Sequence, residues 1–167
     1  MKLLIDRIAS PLGTVVVVSD GEHLRALDFE DYEARMHKLL ARQYGEVTLQ
    51  AQRDPGGASC AVEAYFSGQH EALETLPVAS NGTAFQQEVW RYLREIPRGT
   101  TSTYGELARR IGNPAASRAV GLANGSNPIA IAVPCHRVIG ANGDLTGYAG
   151  GMERKRWLLI HEGALLL

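Results

Sequence analysis

The periodicity of this chain changes once along its length, and that change limits the fold more than any other feature. Residues 3–29 alternate and turn as strands do, with four consecutive valines at 15–18. Residues 3–9 and 14–19 read as two strands, Asp20-Gly21 as a turn, and residues 23–29 as a returning strand. A helix is expected over 31–43, with Met36, Leu39 and Leu40 on one face, and another over 58–66, ended by Ser67-Gly68. Cys60 falls in that second helix and is expected in the core. Residues 71–83, with Pro77, Asn81 and Gly82, read as a loop-like boundary.

Beyond the boundary the pattern is helical. Thr83 is placed to cap a helix carrying Phe85, Val89, Trp90 and Leu93 on one stripe. Thr103 is placed to cap a second helix over 104–111, which Gly112-Asn113 breaks. Asn113 is then placed to cap a third helix, 114–123, with Pro114 at its first position. Two short helices joined by a tight turn outline a helix-turn-helix, although an ordinary helical hairpin has the same outline. A last, basic helix is expected over 152–162, with Trp157, Leu158 and Leu159, closed by Gly163. The expected fold is therefore α+β: an N-terminal α/β domain over 1–82 with a small antiparallel sheet and helices, and a mostly helical domain over 83–167.

Charge divides at the same place. Residues 1–82 hold seven Lys/Arg and twelve Asp/Glu, a net charge of −5; residues 83–167 hold ten and six, a net charge of +4. A polyanion is repelled by the first half and tolerated by the second.

The chemistry is concentrated in Ile131-Ala132-Val133-Pro134-Cys135-His136-Arg137-Val138-Ile139-Gly140. The apolar run reads as a buried strand that Pro134 stops immediately before a thiol. His136 and Arg137 both favour the thiolate, which is the reactive form. Cys60 and Cys135 are the only cysteines, expected free, and no Cys/His set has zinc spacing, so no metal is expected. His23, His37 and His70 are scattered and read as surface residues. No apolar run approaches the roughly 20 residues of a membrane helix. Charge at Lys2, Asp6 and Arg7 argues against a secretory signal. These features lead to the expectation of a cytoplasmic protein.

Pro134-Cys135-His136-Arg137-Val138 does not stand alone. It occurs with Phe85 to Trp90, Tyr104-Gly105-Glu106-Leu107-Ala108, Arg118-Ala119-Val120-Gly121 and Asn127-Pro128. Gly147-Tyr148-Ala149-Gly150-Gly151, Trp157-Leu158-Leu159 and His161-Glu162-Gly163 complete the set. In this order it resembles the catalytic domain of the O6-alkylguanine-DNA alkyltransferases, the methylated-DNA–protein-cysteine methyltransferases. The ending Gly163-Ala164-Leu165-Leu166-Leu167 resembles the bacterial constitutive type. The resemblance implies a ribonuclease H-like N-terminal domain and a winged-helix-like DNA-binding C-terminal domain. It also implies transfer of the alkyl group from O6-alkylguanine, and from O4-alkylthymine, in double-stranded DNA to Cys135, without a cofactor and as a monomer.

The site residues follow from the same resemblance. Cys135 is the nucleophile, His136 its base through a water, and Glu162 the group that orients His136. Tyr104 delivers a proton to the guanine ring nitrogen N3, and Asn127 braces the active-site turn. Val138, Tyr148, Ala149 and Gly150 form the substrate pocket. Arg118 fills the place of the flipped nucleotide, and Ala115, Ala116, Ser117 and Ala119 lie along the minor groove. Ala149 is Ser in some members and Ala130 is Pro in others, which bears on the fit of bulky substrates. Two other functions compete: recognition of alkylated guanine without repair, and a Cys-His hydrolase that turns over.

Overall fold

The computed structural model describes residues 1–166; Leu167, the last residue of the C-terminal ending, lies outside them. The backbone divides into two compact units, Met1–Asn81 with Pro128–Ala132, and Gly82–Asn127 with Val133–Leu167.

In the first unit β1 (Lys2–Ile8), β2 (Val15–Ser19) and β3 (Leu24–Phe29) form an antiparallel meander. A 3₁₀ turn leads into α1 (Glu33–Tyr44). The chain then adds β4 (Thr48–Ala51) parallel to β1, giving the order β3-β2-β1-β4. The sheet is thus mixed rather than antiparallel throughout. β4 was not legible in the sequence because it is a short edge strand with a largely exposed surface. One face packs Leu3, Ile5, Val16, Val18 and Ala26 against Met36 and Leu40 of α1. The alternate valines, Val15 and Val17, are equally buried, so both faces are covered. Each fully buried valine contributes about 1.5–3 kcal/mol.

α2 (Ala58–Phe66) lies against β1 and β2, and α3 (Glu71–Glu74) forms a single turn inside the expected loop. Cys60 is exposed, not in the core as expected. The phase of α2 turns Ala58, Ser59, Ala61, Val62 and Tyr65 inward and leaves position 60 on the outer face.

The segment 131–133 is not a strand. Ala132 N–H donates to Ala130 O (2.8 Å) around Ile131, which has φ +69, and Cys135 N–H donates to Val133 O (2.8 Å) around Pro134. Two three-residue turns stand where a strand was expected, because an apolar run alone does not separate a strand from buried irregular chain. A β-branched residue at positive φ stores about 1–3 kcal/mol of strain.

The second unit opens on α4 (Ala84–Glu95), where Thr83 and Gln86 form a reciprocal capping box worth about 1 kcal/mol. Trp90 crosses Gly82 so closely that a Cβ there would meet its ring at 2.5 Å. β5 (Ser102–Thr103) leads directly into α5 (Tyr104–Ile111), capped by Thr103 Oγ1. A 3₁₀ turn, Pro114–Ala116, precedes α6 (Ser117–Gly125); Asn113 supplies no side-chain cap. Trp90 Nε1–H donates to Ala123 O (2.8 Å) and ties α4 to the end of α6. β6 (Val138–Ile139) pairs parallel with β5, and α7 (Met152–His161) closes the unit.

Candidate active site

The site lies within the second unit. Pro134, at φ −81 and ψ 65, turns the chain into a single 3₁₀ turn, Cys135–Arg137, closed by Val138 N–H donating to Cys135 O. Cys135 is buried and forms no disulfide. β6 follows at once, with Ser102 opposite Val138 and Thr103 opposite Ile139. Since β5 runs straight into α5, this pairing sets Tyr104 one residue beyond the strand that carries Val138. The Tyr104 ring also lies against α6, 3.8 Å from where a Cβ on Gly121 would stand.

Behind the thiol is a buried polar network. His136 Nε2 is 2.9 Å from Glu162 Oε2. Arg137 donates to the same carboxylate through Nε (2.8 Å to Oε1) and Nη2 (3.1 Å to Oε2), and through Nη1 to Ile96 O (2.7 Å). Burial raises the Glu162 carboxyl, but the charge and hydrogen bonds of His136 and Arg137 outweigh it and hold the group well below the carboxylate range. An ionised carboxylate only accepts, so His136 carries its hydrogen on Nε2. Complete burial holds the imidazole below its ordinary 6.5, against the opposing pull of Glu162, and so neutral at pH 7. Nδ1 is therefore the lone-pair nitrogen, and it is buried with no protein hydrogen-bond partner. A neutral imidazole with its basic nitrogen uncommitted, next in chain to a cysteine, is suited to taking a thiol proton.

Amides and one lysine hold the turn in shape. Asn127 Nδ2 donates to Val133 O (2.7 Å) and Asn124 Nδ2 to Cys135 O (3.4 Å). Lys155, with 0% exposure, donates through Nζ to Val138 O (2.6 Å), Thr146 O (2.6 Å) and Gly147 O (3.4 Å). Burial pulls its ammonium down to about 8, with the nearby Cys135 opposing that pull. One buried cation thus joins the strand after the thiol to the glycine-rich loop. Within that loop Gly140 N–H donates to Asp144 O (2.8 Å), and Arg154 Nη1 donates to Gly150 O (3.1 Å). Of the expected pocket residues, Val138 and Gly150 are buried, and Tyr148 and Ala149 are half-buried.

The residues expected to face nucleic acid differ in exposure. Arg118, Ala115 and Ala119 are exposed and Ser117 is half-buried, but Ala116 is 8% exposed and packs inward. The 3₁₀ turn over 114–116 rotates it away from solvent. Leu122, unremarked in the sequence, stands 71% exposed one helical turn beyond Arg118. Lys155 was also missed. Its signal is the spacing 155, 158, 159, 162, an i, i+3, i+4, i+7 stripe that is wholly buried although it starts on lysine and ends on glutamate. Trp157, expected on the apolar face, is half-buried and stacked on His161.

Comparison with known proteins places this geometry in a family. Residues 84–164 match the DNA-binding domain of 6-O-methylguanine DNA methyltransferase, and residues 4–80 match its ribonuclease-like domain. The chain is 52% identical over 170 residues to a methylated-DNA–protein-cysteine methyltransferase of Shigella flexneri, covering 100% of this chain and 99% of that protein. It superposes on the crystal structure of Mycobacterium tuberculosis O6-methylguanine methyltransferase with a TM-score of 0.80 at 41% identity, over 97% of this chain and 93% of the other. Mycobacterium tuberculosis OGT in complex with DNA gives a TM-score of 0.79 at 43% identity, over 98% and 94%. Two matched domains that together span nearly the whole chain, and half of all residues identical to a full-length relative, lead to one conclusion: the chain belongs to the O6-methylguanine-DNA methyltransferase family.

Proposed function

We propose that this protein repairs O6-alkylguanine in DNA by moving the alkyl group onto Cys135, irreversibly and once per molecule. The observation that carries the reading is the buried Cys135 followed by His136, whose Nε2–H is committed to an ionised Glu162. His136 Nδ1 takes the thiol proton through a water. The thiolate attacks the alkyl carbon in line; the S–C bond forms as the C–O6 bond breaks, and the electron pair passes into the guanine ring. Tyr104 delivers a proton to N3 of the leaving base. The carbonyls of Cys135 and Val138 accept from the exocyclic amine, Ala149 N–H donates to O6, and Tyr148 and Gly150 wall the pocket. Asn127, through Val133 O, keeps the turn in register. A thioether is not readily hydrolysed, so the reaction stops at one equivalent.

The target base is reached by extrusion from the duplex. The domain over 83–167 binds as a monomer, with α6 in the minor groove and Arg118 in the place of the flipped nucleotide. Ala115, Ser117 and Ala119 allow close approach, and phosphate contacts hold the strand without reading sequence. The domain over 1–82 carries the acidic charge and stays off the polyanion, and the protein acts in the cytoplasm. Among the described residues no helix is long and apolar enough to cross a membrane.

The deciding experiment mixes the protein with a duplex carrying one O6-methylguanine and measures intact mass, followed by peptide mapping. One methyl on Cys135, restored guanine and a halt at one equivalent are expected. Tight lesion binding without a mass gain would establish lesion recognition instead, and catalytic turnover a hydrolase.

Two further outcomes follow from residues that the sequence did not single out. Leu122→Ala should weaken duplex binding by about tenfold, the low end of the worth of a buried aliphatic side chain. The slope of log K against log salt should stay unchanged, since no phosphate contact is lost; titrations at several salt concentrations read both. Lys155→Met should lower the single-turnover rate by about 10–100-fold, because three loop and strand carbonyls lose their common donor and the pocket walls drift from the thiol. Hydrogen exchange at residues 146–147 should rise in the same variant.

A further inference from the structure

Tyr104 has a partner that the reading above leaves without a role. Thr146 Oγ1–H donates to the Tyr104 phenol oxygen at 3.3 Å. That is long for a hydroxyl pair, as hydrogen bonds in substrate-free sites often are before they tighten. Thr146 is not placed by chance. Its carbonyl is gripped by the buried Lys155 Nζ at 2.6 Å. Its methyl group stands 3.3 Å from where a Cβ on Gly140 would be, so the glycine leaves just the room that this side chain takes. Lys155 thus holds the Thr146 backbone, and the Thr146 hydroxyl points at Tyr104.

A phenol has one hydrogen and accepts through its oxygen. If a neighbouring hydroxyl donates to that oxygen, the phenol hydrogen must be directed elsewhere. We propose that Thr146 is a positioning residue for Tyr104: its hydroxyl occupies the phenol oxygen as donor and so leaves the phenol hydrogen for the substrate base. The inference rests on the reading of Tyr104 as the proton donor to N3. In the transfer step the S–C bond forms, the C–O6 bond breaks, and the phenol proton moves to N3. The phenolate left behind keeps the Thr146 O–H as its donor until solvent returns a proton. Donation to the oxygen also stabilises the negative charge that develops on it, which strengthens Tyr104 as an acid in the transition state and not in the ground state.

The test is a double-mutant cycle on the single-turnover rate of methyl transfer from an O6-methylguanine duplex, with duplex affinity measured alongside. Thr146→Val keeps the shape and removes the hydroxyl; it should slow transfer by about 3–10-fold with unchanged affinity. Thr146→Ser keeps the hydroxyl and should restore the rate. In a Tyr104→Phe background, Thr146→Val should cost nothing further. A Thr146→Val protein as fast as wild type, an effect that persists in full in the Tyr104→Phe background, or failure of Ser to rescue would each overturn the inference while leaving the role of Tyr104 standing. A Tyr104→Phe protein that reacts at the wild-type rate would instead remove Tyr104 as the proton donor, and the inference with it.

Discussion

A Cys135→Ser protein mixed with a duplex carrying O6-methylguanine should gain no mass and leave the lesion unrepaired, while binding that duplex about as tightly as the wild type. The loss expected is on the order of 10⁴-fold or more, as for removal of other nucleophiles that act with a base. A serine hydroxyl hydrogen-bonds where a thiol does but holds its proton far more tightly, and the neutral His136 is too weak a base to remove it. Intact-mass measurement after overnight incubation, with lesion binding by fluorescence anisotropy, checks both halves. Cys60 supplies the internal control. It is exposed, and its hydrogen bond to Asp54, helped by the Asp54 charge, pushes its thiol up, so it stays a poor nucleophile. Cys60→Ser should therefore take up one methyl per molecule as the wild type does. Methylation at residue 60 in place of 135 would sink the assignment.

Glu162→Gln should damage both reaction and fold. The carboxylate accepts from His136 and twice from Arg137 inside the protein, so neutralising it leaves a buried guanidinium without its counter-ion and places an amide NH2 group where an acceptor oxygen stood. Removing one partner of a buried ion pair costs about 3–5 kcal/mol, which lowers Tm by about 6–20 °C in a chain of this size. The single-turnover rate should fall by about 10²-fold, since His136 loses the charged acceptor that fixes its tautomer and stabilises its protonated form.

The pH dependence gives a second, independent reading of the same variant. The folded Glu162 carboxyl titrates below its ordinary 4.5. The unfolded chain then binds the proton first, so this contribution to stability is complete above 4.5 and is lost as pH falls towards the folded value. The folded His136 titrates below its ordinary 6.5, so there too the unfolded chain is protonated first and stability declines as pH drops below 6.5. Both slopes have the same sign. Wild-type Tm should decline from about pH 6.5 downward and steepen below 4.5; Glu162→Gln should steepen less, the remainder coming from other depressed carboxyls such as Asp20. Thermal melts from about pH 2.5 to 8 on both proteins check this, and identically shaped curves would separate Glu162 from acid stability.

Much of the fold was written locally. Thr83 and Thr103 cap α4 and α5 because a hydroxyl at that position meets an unpaired helical amide whatever surrounds it. The meander β1-β2-β3 follows from alternation and the turn at Asp20-Gly21. The segment proposed to react was equally local, since Pro134, Cys135 and His136 are consecutive. Other features were not local. β4 is four residues with no buried face to mark it, and its pairing with β1 spans more than 40 residues. The run over 131–133 reads as a strand by composition but is taken up in two tight turns. The burial of Ala116 and the exposure of Cys60 depend on helical phase, which a shift of one residue reverses.

By itself, then, the sequence determined the meander, the capped starts of α4 and α5, where the charge lies, and which thiol to propose as the nucleophile. Each of these depends on residues within a few positions of one another. Only the tertiary structure decided that Glu162 meets His136 and Arg137 across some 25 residues, and that Lys155 is buried among three carbonyls. It also decided that Thr146 reaches Tyr104 across 42 residues. The reason is physical. Whether a lysine or a glutamate is a solvated surface charge or a buried functional one is set by the low dielectric and the hydrogen-bond partners that packing brings to it, and no local pattern of residues specifies either.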